Sequence, residues 1–246
     1  MKPGMYLYAI ATGAGNVDCA FSGIDGKPVY AISDGRISAV VSELLNGKIR
    51  PERRHLAAHQ EVLKRLMEKA TVLPMAFGII AEGPKTIQKI LSQNRGAFVG
   101  QLNRVVDKVE MGLRVTWDVP NIFEYFVNSH EELRAARDHL VGNHCEPAQE
   151  DKIELGRMFD RILNDDRESY TDQVEKILRR CCHESKRNKC RSEREVMNLA
   201  CLVGRQALEG FEAGVFEAAK LFDNSFAFDY NGPWAPHNFV DMNLQL

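Results

Sequence analysis

Cys181, Cys182, His183 and Cys190 bring together side-chain types that bind zinc, so they are the first place in this chain to look for chemistry. A structural zinc site uses two ligand pairs, each commonly separated by a short spacer. Here Cys181 and Cys182 are adjacent, which on a helix turns them about 100° apart, and no second pair follows. Core thiols are the default reading, and neither a metal nor a cofactor is assigned. Gly13-Ala14-Gly15 suggests a dinucleotide loop behind a strand, but Asp18 stands where the third glycine belongs and no helix signal follows. His59 lies between Leu56 and Leu63 on an inward helical face, where a hydrogen-bonded core histidine is the default over a catalytic base. No triad is visible, and no catalytic residue is assigned.

Charge and composition narrow the function classes. The 246 residues carry 32 Lys+Arg against 34 Asp+Glu, a net charge of −2, with 44% hydrophobic and 27% charged residues. That balance argues against a chain built to track a nucleic-acid backbone. Lys186-Arg187-Asn188-Lys189-Cys190-Arg191 could grip phosphates, but Glu184, Glu193 and Glu195 flank it, as in a solvated connecting loop. Val72 to Ala81, the longest apolar stretch, is interrupted by Pro74 and Gly78 and falls far short of the roughly 20 residues that span a bilayer. No membrane segment and no signal peptide are expected, so the protein should stay inside the cell. The six cysteines, Cys19 and Cys145 among them, are scattered as reduced thiols are.

What remains is surface chemistry. Pro233 and Pro236 fix two backbone angles around Trp234, so the tail from Asn231 to Val240 loses little entropy on docking. Burying a Trp or Phe contributes on the order of 2 kcal/mol, which favours docking of Trp234 and Phe239 on their own domain over a partner. Val72 to Ile80 reads as extended, and Pro74 confines it to an edge or irregular strand. Leu73, Met75, Phe77, Ile79, Trp234 and Phe239 are the candidate partner-binding residues.

The elements that position them follow from periodicity. Tyr6 to Ala11 is a strand, and Val29 to Val41 a hairpin turning at Asp34-Gly35. Leu56, His59, Leu63, Leu66, Met67 and Ala70 stripe an amphipathic helix opened by Pro51. A second helix runs from Pro84 to Val109, with a break near Gly96 and an end at Gly112, and Leu113 to Trp117 alternates as a strand. After Val119-Pro120 one helix spans Ile122 to Leu140, and a longer pattern from Asp151 to His183 breaks at Asn164-Asp165-Asp166. Val196 to Val203 reads as an interior strand, Leu208 to Phe222 as a helix, and Phe226 to Tyr230 as a strand. The expected fold is α+β in two domains, residues 1–119 and 120–246.

These segments together resemble the gas vesicle protein F/L family. The resemblance rests on Tyr6-Leu7-Tyr8, Gly23 to Val29, Ser38 to Ser42, His59 to Leu63, Val72-Leu73-Pro74-Met75-Ala76-Phe77-Gly78, Val115 to Asp118, Asn198 to Val203 and Gly232-Pro233-Trp234-Ala235-Pro236-His237-Asn238-Phe239. The family pattern usually has Arg at Ala76, Pro at Ala235 and Tyr at His237. The resemblance implies a modified ferredoxin-like N-terminal sheet with covering helices and a helical α+β C-terminal domain. It also implies a non-enzymatic minor gas vesicle component that associates with the hydrophobic wall protein and other minor vesicle proteins, with no nucleic-acid or lipid-membrane partner. Its expected place is the gas vesicle, reached from the cytoplasm, with the gas-facing side of the shell one location. A face against gas cannot hydrate its charges, so a chain this charged must keep most of its surface wet or paired. The reading that competes with this one is a small-molecule or metal-binding enzyme.

Overall fold

Met5 and Leu7 point into one side of the first strand, β1 (Gly4–Thr12), whereas farther along the same side is taken by Ile10. The cause lies in the register with a later strand. β2 (Val29–Ser33) and β3 (Ile37–Leu44) form a hairpin, and β1 pairs antiparallel with β3, matching Leu7 to Val41 and then Ala9 to Val40. Tyr8 is the extra residue of a β-bulge, which shifts the inward parity by one. The structure, a computed structural model, describes residues 4–13, 21–45, 47–142 and 148–241. Ala14, Gly15 and Asp18 of the proposed dinucleotide loop, and Cys19 and Cys145, lie outside the described residues.

The hairpin turns where the sequence placed it. Gly35 has φ +92°, and the Asp34 carboxylate accepts the N–H groups of Arg36 and Ile37, each at 3.0 Å. Then come α1 (Arg53–Lys69), β4 (Val72–Pro74), β5 (Ile80–Ala81) and α2 (Pro84–Val105). The sheet order is β2-β3-β1-β4, with β5 also on β1. Pro74 sits in the outermost strand of that path, where its missing N–H breaks no ladder. The α2 side chains Ile87, Leu91, Phe98 and Leu102 pack on the Met5, Leu7 and Ile10 face. The opposite face carries Tyr6 and Tyr8 and meets α1 through His59.

A second sheet is built from β6 (Lys108–Trp117), β7 (Glu184–Arg187), β8 (Glu195–Gly204) and β9 (Phe226–Trp234), in the order β7-β8-β6-β9. Its helices are α3 (Ile122–Ser129), α4 (Glu131–Gly142), α5 (Gln149–Leu178) and α6 (Leu208–Ala219). Trp117, Phe126, Phe159 and Phe211 anchor the core, with Trp117 edge-on to Phe126 at 5.1 Å.

The α+β class matches expectation, and several boundaries differ from it. Helix α2 runs through Gly96 without a break and ends at Val105, because Asp107 turns the chain at φ +54°. Strand β6 then starts at Lys108 and contains Gly112, where a Cβ would lie 2.8 Å from Asn231 Oδ1. Gly112 is thus required by a close approach within the sheet. The expected single helix after Asn121 is two, α3 and α4, separated at His130, whose backbone is extended. Helix α5 continues through Asn164-Asp165-Asp166, since Asn164 accepts from Arg167 and Asp166 pairs with His130. The basic run is no simple loop: its first residues form β7, paired to β8. Finally, the chain divides into one compact unit of residues 1–110 and 232–246 and another of residues 111–231. The expected boundary after residue 119 therefore falls inside the second unit, and the aromatic tail belongs to the first.

Candidate partner-binding site

Within the first unit, the segment from β4 to β5 closes over a buried polar cluster. Leu7 N–H donates to the Ile79 carbonyl at 3.0 Å and Met75 N–H to the Tyr8 carbonyl at 2.9 Å, which tie both ends of the segment to β1. The Tyr6 hydroxyl accepts the Gly78 N–H at 3.1 Å and meets His59 Nδ1 at 2.9 Å. Tyr8 stacks on the His59 ring, its hydroxyl accepting the Ile24 N–H and bonding Ser42, both at 2.9 Å. Phe77 completes the cluster, 5.9 Å from both Tyr6 and His59. His59 is thus a hydrogen-bonded core histidine.

Burial dominates the electrostatics here. It pushes the Tyr6 phenol up to about 12 and raises Tyr8 as well. It takes His59 down to about 4, with His237 lowering it further and the Met75 main chain acting in the opposite sense. Burial also lowers His237. Burial thus holds the His59 ring neutral, packed among Tyr6, Tyr8 and Phe77.

The tail docks on the same unit. After Trp234, Ala235 and Pro236 are buried, a single 3₁₀ turn covers His237–Phe239, and Phe239 is fully buried. The Asn238 main-chain N–H and its Nδ2 both donate to the Glu110 carboxylate, at 2.8 and 2.6 Å. Gln101 Nε2 donates to the Asp241 carbonyl at 3.3 Å.

The six candidate residues therefore separate. Leu73, Met75 and Phe239 are enclosed in the fold, so their side chains present nothing to a partner. Phe77 and Ile79 are half-buried, and Trp234 is 42% exposed. Phe216 and Leu221 were missed as candidates, although Phe216 falls off the Leu208, Phe211, Val215 and Ala218 stripe that α6 buries.

Other candidate chemistry resolves structurally. Among the described residues no group of three or more His, Cys, Asp or Glu is arranged to hold a metal ion. Burial raises the Cys181 thiol, while a hydrogen bond with Cys201 lowers that of Cys182. Arg187, in the basic run, is bonded to Glu175 at 2.8 and 3.1 Å and to Asp172 at 2.5 Å, an arrangement that raises its pKa. A pocket of about 270 Å³ near the start of α1 has mixed charge, from Lys27, Lys48 and Arg50 to Glu43 and Glu52. On its wall His55 links the Arg50 carbonyl, at 2.9 Å, to Asp25, at 3.1 Å.

Comparison with known proteins gives these features a family. A model of the family described as gas vesicle synthesis protein GvpL/GvpF matches residues 4–241. The chain belongs to the GvpL/GvpF family. It is 26% identical to gas vesicle protein F of Nostoc sp. (strain PCC 7120), covering 99% of this chain and all of that protein. Gas vesicle protein F of Haloferax mediterranei is 24% identical, with 99% and 96% covered. The crystal structure of GvpF from Anabaena sp. PCC7120 shares the fold at a TM-score of 0.83 and 24% identity, covering 98% of this chain and 99% of that one. The GvpF crystal structure from Microcystis aeruginosa does so at 0.82 and 21%, with 97% and 99% covered. No helix among the described residues is long and apolar enough to cross a membrane.

Proposed function

We propose that this member of the GvpL/GvpF family is a non-enzymatic gas vesicle component that binds the hydrophobic wall protein during vesicle assembly or in the finished shell. The observation that carries the reading is the family match over residues 4–241, which takes in both units. Relatives named gas vesicle protein F, matched over nearly their whole length, support the same role. Physically, a wall subunit that repels water on one face aggregates before assembly, and a well-hydrated partner covers that face or seeds ordered stacking. In the first unit Phe77, Ile79 and Trp234 are among the apolar side chains that reach the surface, as are Leu45, Leu56 and Val106. The 27% charged residues keep most of the surface wet, so contact is confined to restricted apolar patches, on whichever side of the shell the protein sits.

The test is co-purification of the full chain with the hydrophobic gas vesicle wall protein, followed by mass spectrometry of washed, intact vesicles. Capture that weakens in Trp234→Ala and Phe77→Ala supports the reading. Failure of the folded wild type to capture the wall protein overturns it.

A further inference from the structure

β9 is the last strand of its sheet, and the part of it in the second unit, before Gly232-Pro233, lacks the features that usually keep an edge from pairing. Edge strands are commonly protected by Lys, Pro or a covering element. From Phe226 to Tyr230 the sequence is Phe-Ala-Phe-Asp-Tyr, with neither Lys nor Pro. Its aromatic residues alternate onto one face, where Phe222 touches Phe226 at 4.9 Å and Phe228 at 5.1 Å, and the Tyr230 hydroxyl donates to Glu212 of α6. Phe216 follows Glu212 by four residues and so lies on the same helical face, one turn on. It is 59% exposed, and Leu221, beside Phe222 in the chain, is 51% exposed. Tyr230, Phe216, Phe228, Phe222 and Leu221 thus make a partly exposed apolar strip beside an open strand edge.

The charges along the strip are mostly of one sign. Glu209 and Glu212 on α6 and Asp223 on the turn after it are exposed beside the strip, and Asp229 is exposed on the other face of β9, which an added strand would also reach. Lys220 is the cation among them, and Glu217 is already paired with Arg180 at 3.5 Å. Two copies of β9 paired edge to edge would bring these acidic groups together, which opposes self-association. An extended apolar segment flanked by Lys or Arg would instead satisfy the backbone edge, the aromatic strip and the acidic rim together.

We propose that β9 and the adjoining face of α6 form a docking edge for an extended apolar segment with cationic flanks. This rests on the partner-binding reading in taking the wall protein as the natural source of that segment, and the test separates the two claims. The probe is a soluble fluorescent peptide with an alternating Val/Thr core and two lysines at each end, compared with the same core carrying glutamates, using the full chain. The expected result is binding of the lysine-flanked peptide about tenfold or more tighter than of the glutamate-flanked one, weakening with salt. Binding should fall by a similar factor in the surface variants Phe216→Ser/Leu221→Ser and Asp223→Lys/Asp229→Lys, with circular dichroism and melting confirming that each folds. Equal binding of both peptides, binding unchanged in the folded variants, or concentration-dependent dimerisation abolished by Phe216→Ser/Leu221→Ser would overturn the proposal. Peptide binding with no capture of the wall protein would uphold the docking edge and overturn only the wall-protein reading.

Discussion

Glu110 receives two hydrogen bonds from Asn238, one from the main chain at 2.8 Å and one from the side-chain amide at 2.6 Å, across 128 residues of sequence. Glu110 is 7% exposed and Asn238 half-buried, so water competes only in part for these charge-assisted bonds. This clamp holds the 3₁₀ turn that places Phe239 in the core of the first unit. Asn238→Ala should remove one bond and cost about 1 kcal/mol, whereas Glu110→Ala leaves two buried donors unmatched and should cost about 3 kcal/mol. Urea denaturation measures both, and hydrogen exchange at residues 235–240 should accelerate in each variant. Unchanged exchange there would mean that the clamp does not hold the tail.

The two tail aromatics should behave oppositely. Phe239 is fully buried and Trp234 is 42% exposed. Phe239→Ala should destabilise the fold by about 3 kcal/mol or more through the cavity it leaves. Trp234→Ala should shift the melting midpoint little and act on wall-protein capture. A large stability loss in Trp234→Ala would remove it from the candidate surface.

Stability should fall on mild acidification. Burial depresses His59 to about 4 from the ordinary 6.5 and lowers His237 in the same direction. The unfolded chain therefore binds more protons between those values, so the contribution of His59 is fully present above about 6.5 and is lost as pH falls toward 4. For His59 alone it is about 3 kcal/mol. Denaturant midpoints at pH 7.5 and 5 measure the slope, which His59→Gln/His237→Gln should flatten. A slope unchanged in that variant would assign the effect to other groups.

Gly23 is fixed by contact. A Cβ there would lie 2.2 Å from the Tyr8 hydroxyl oxygen, the atom that accepts the Ile24 N–H and bonds Ser42. Gly23→Ala should cost about 2 kcal/mol by displacing that hydroxyl. Tyr8→Phe in the same chain should make the two losses less than additive. Strict additivity would show that the hydroxyl is not what Gly23 makes room for.

Arg187 should act as a structural clamp. Its guanidinium neutralises Glu175, which is buried on α5. Arg187→Ala should cost about 2 kcal/mol by stranding that carboxylate, while Lys189→Ala, at an exposed position in the same run, should stay within about 0.5 kcal/mol of wild type. Equal small effects at both positions would return the run to a solvated surface.

The sequence by itself determined the elements whose periodicity is local: the α1 stripe at His59, Leu63, Leu66 and Met67, though not Leu56, which is 41% exposed, the Asp34-Gly35 hairpin, the interior strand around Val196 to Val203 and the outermost position of Pro74. Each depends on neighbours within a turn or a pleat, so its pattern survives without knowledge of the fold. A series of short, distinct segments matching the family in order along nearly the whole chain also pointed to it. Only the tertiary structure decided which apolar residues stay outside. Phe239 and Trp234 share one tail, and the partner that encloses the first while the second stays exposed is a core closed by Glu110, far away in sequence. The bulge at Tyr8, the unbroken α5 and the placement of Gly112 beside Asn231 were hidden for the same reason. Each answers to a contact made across the fold, and local spacing carries no record of it.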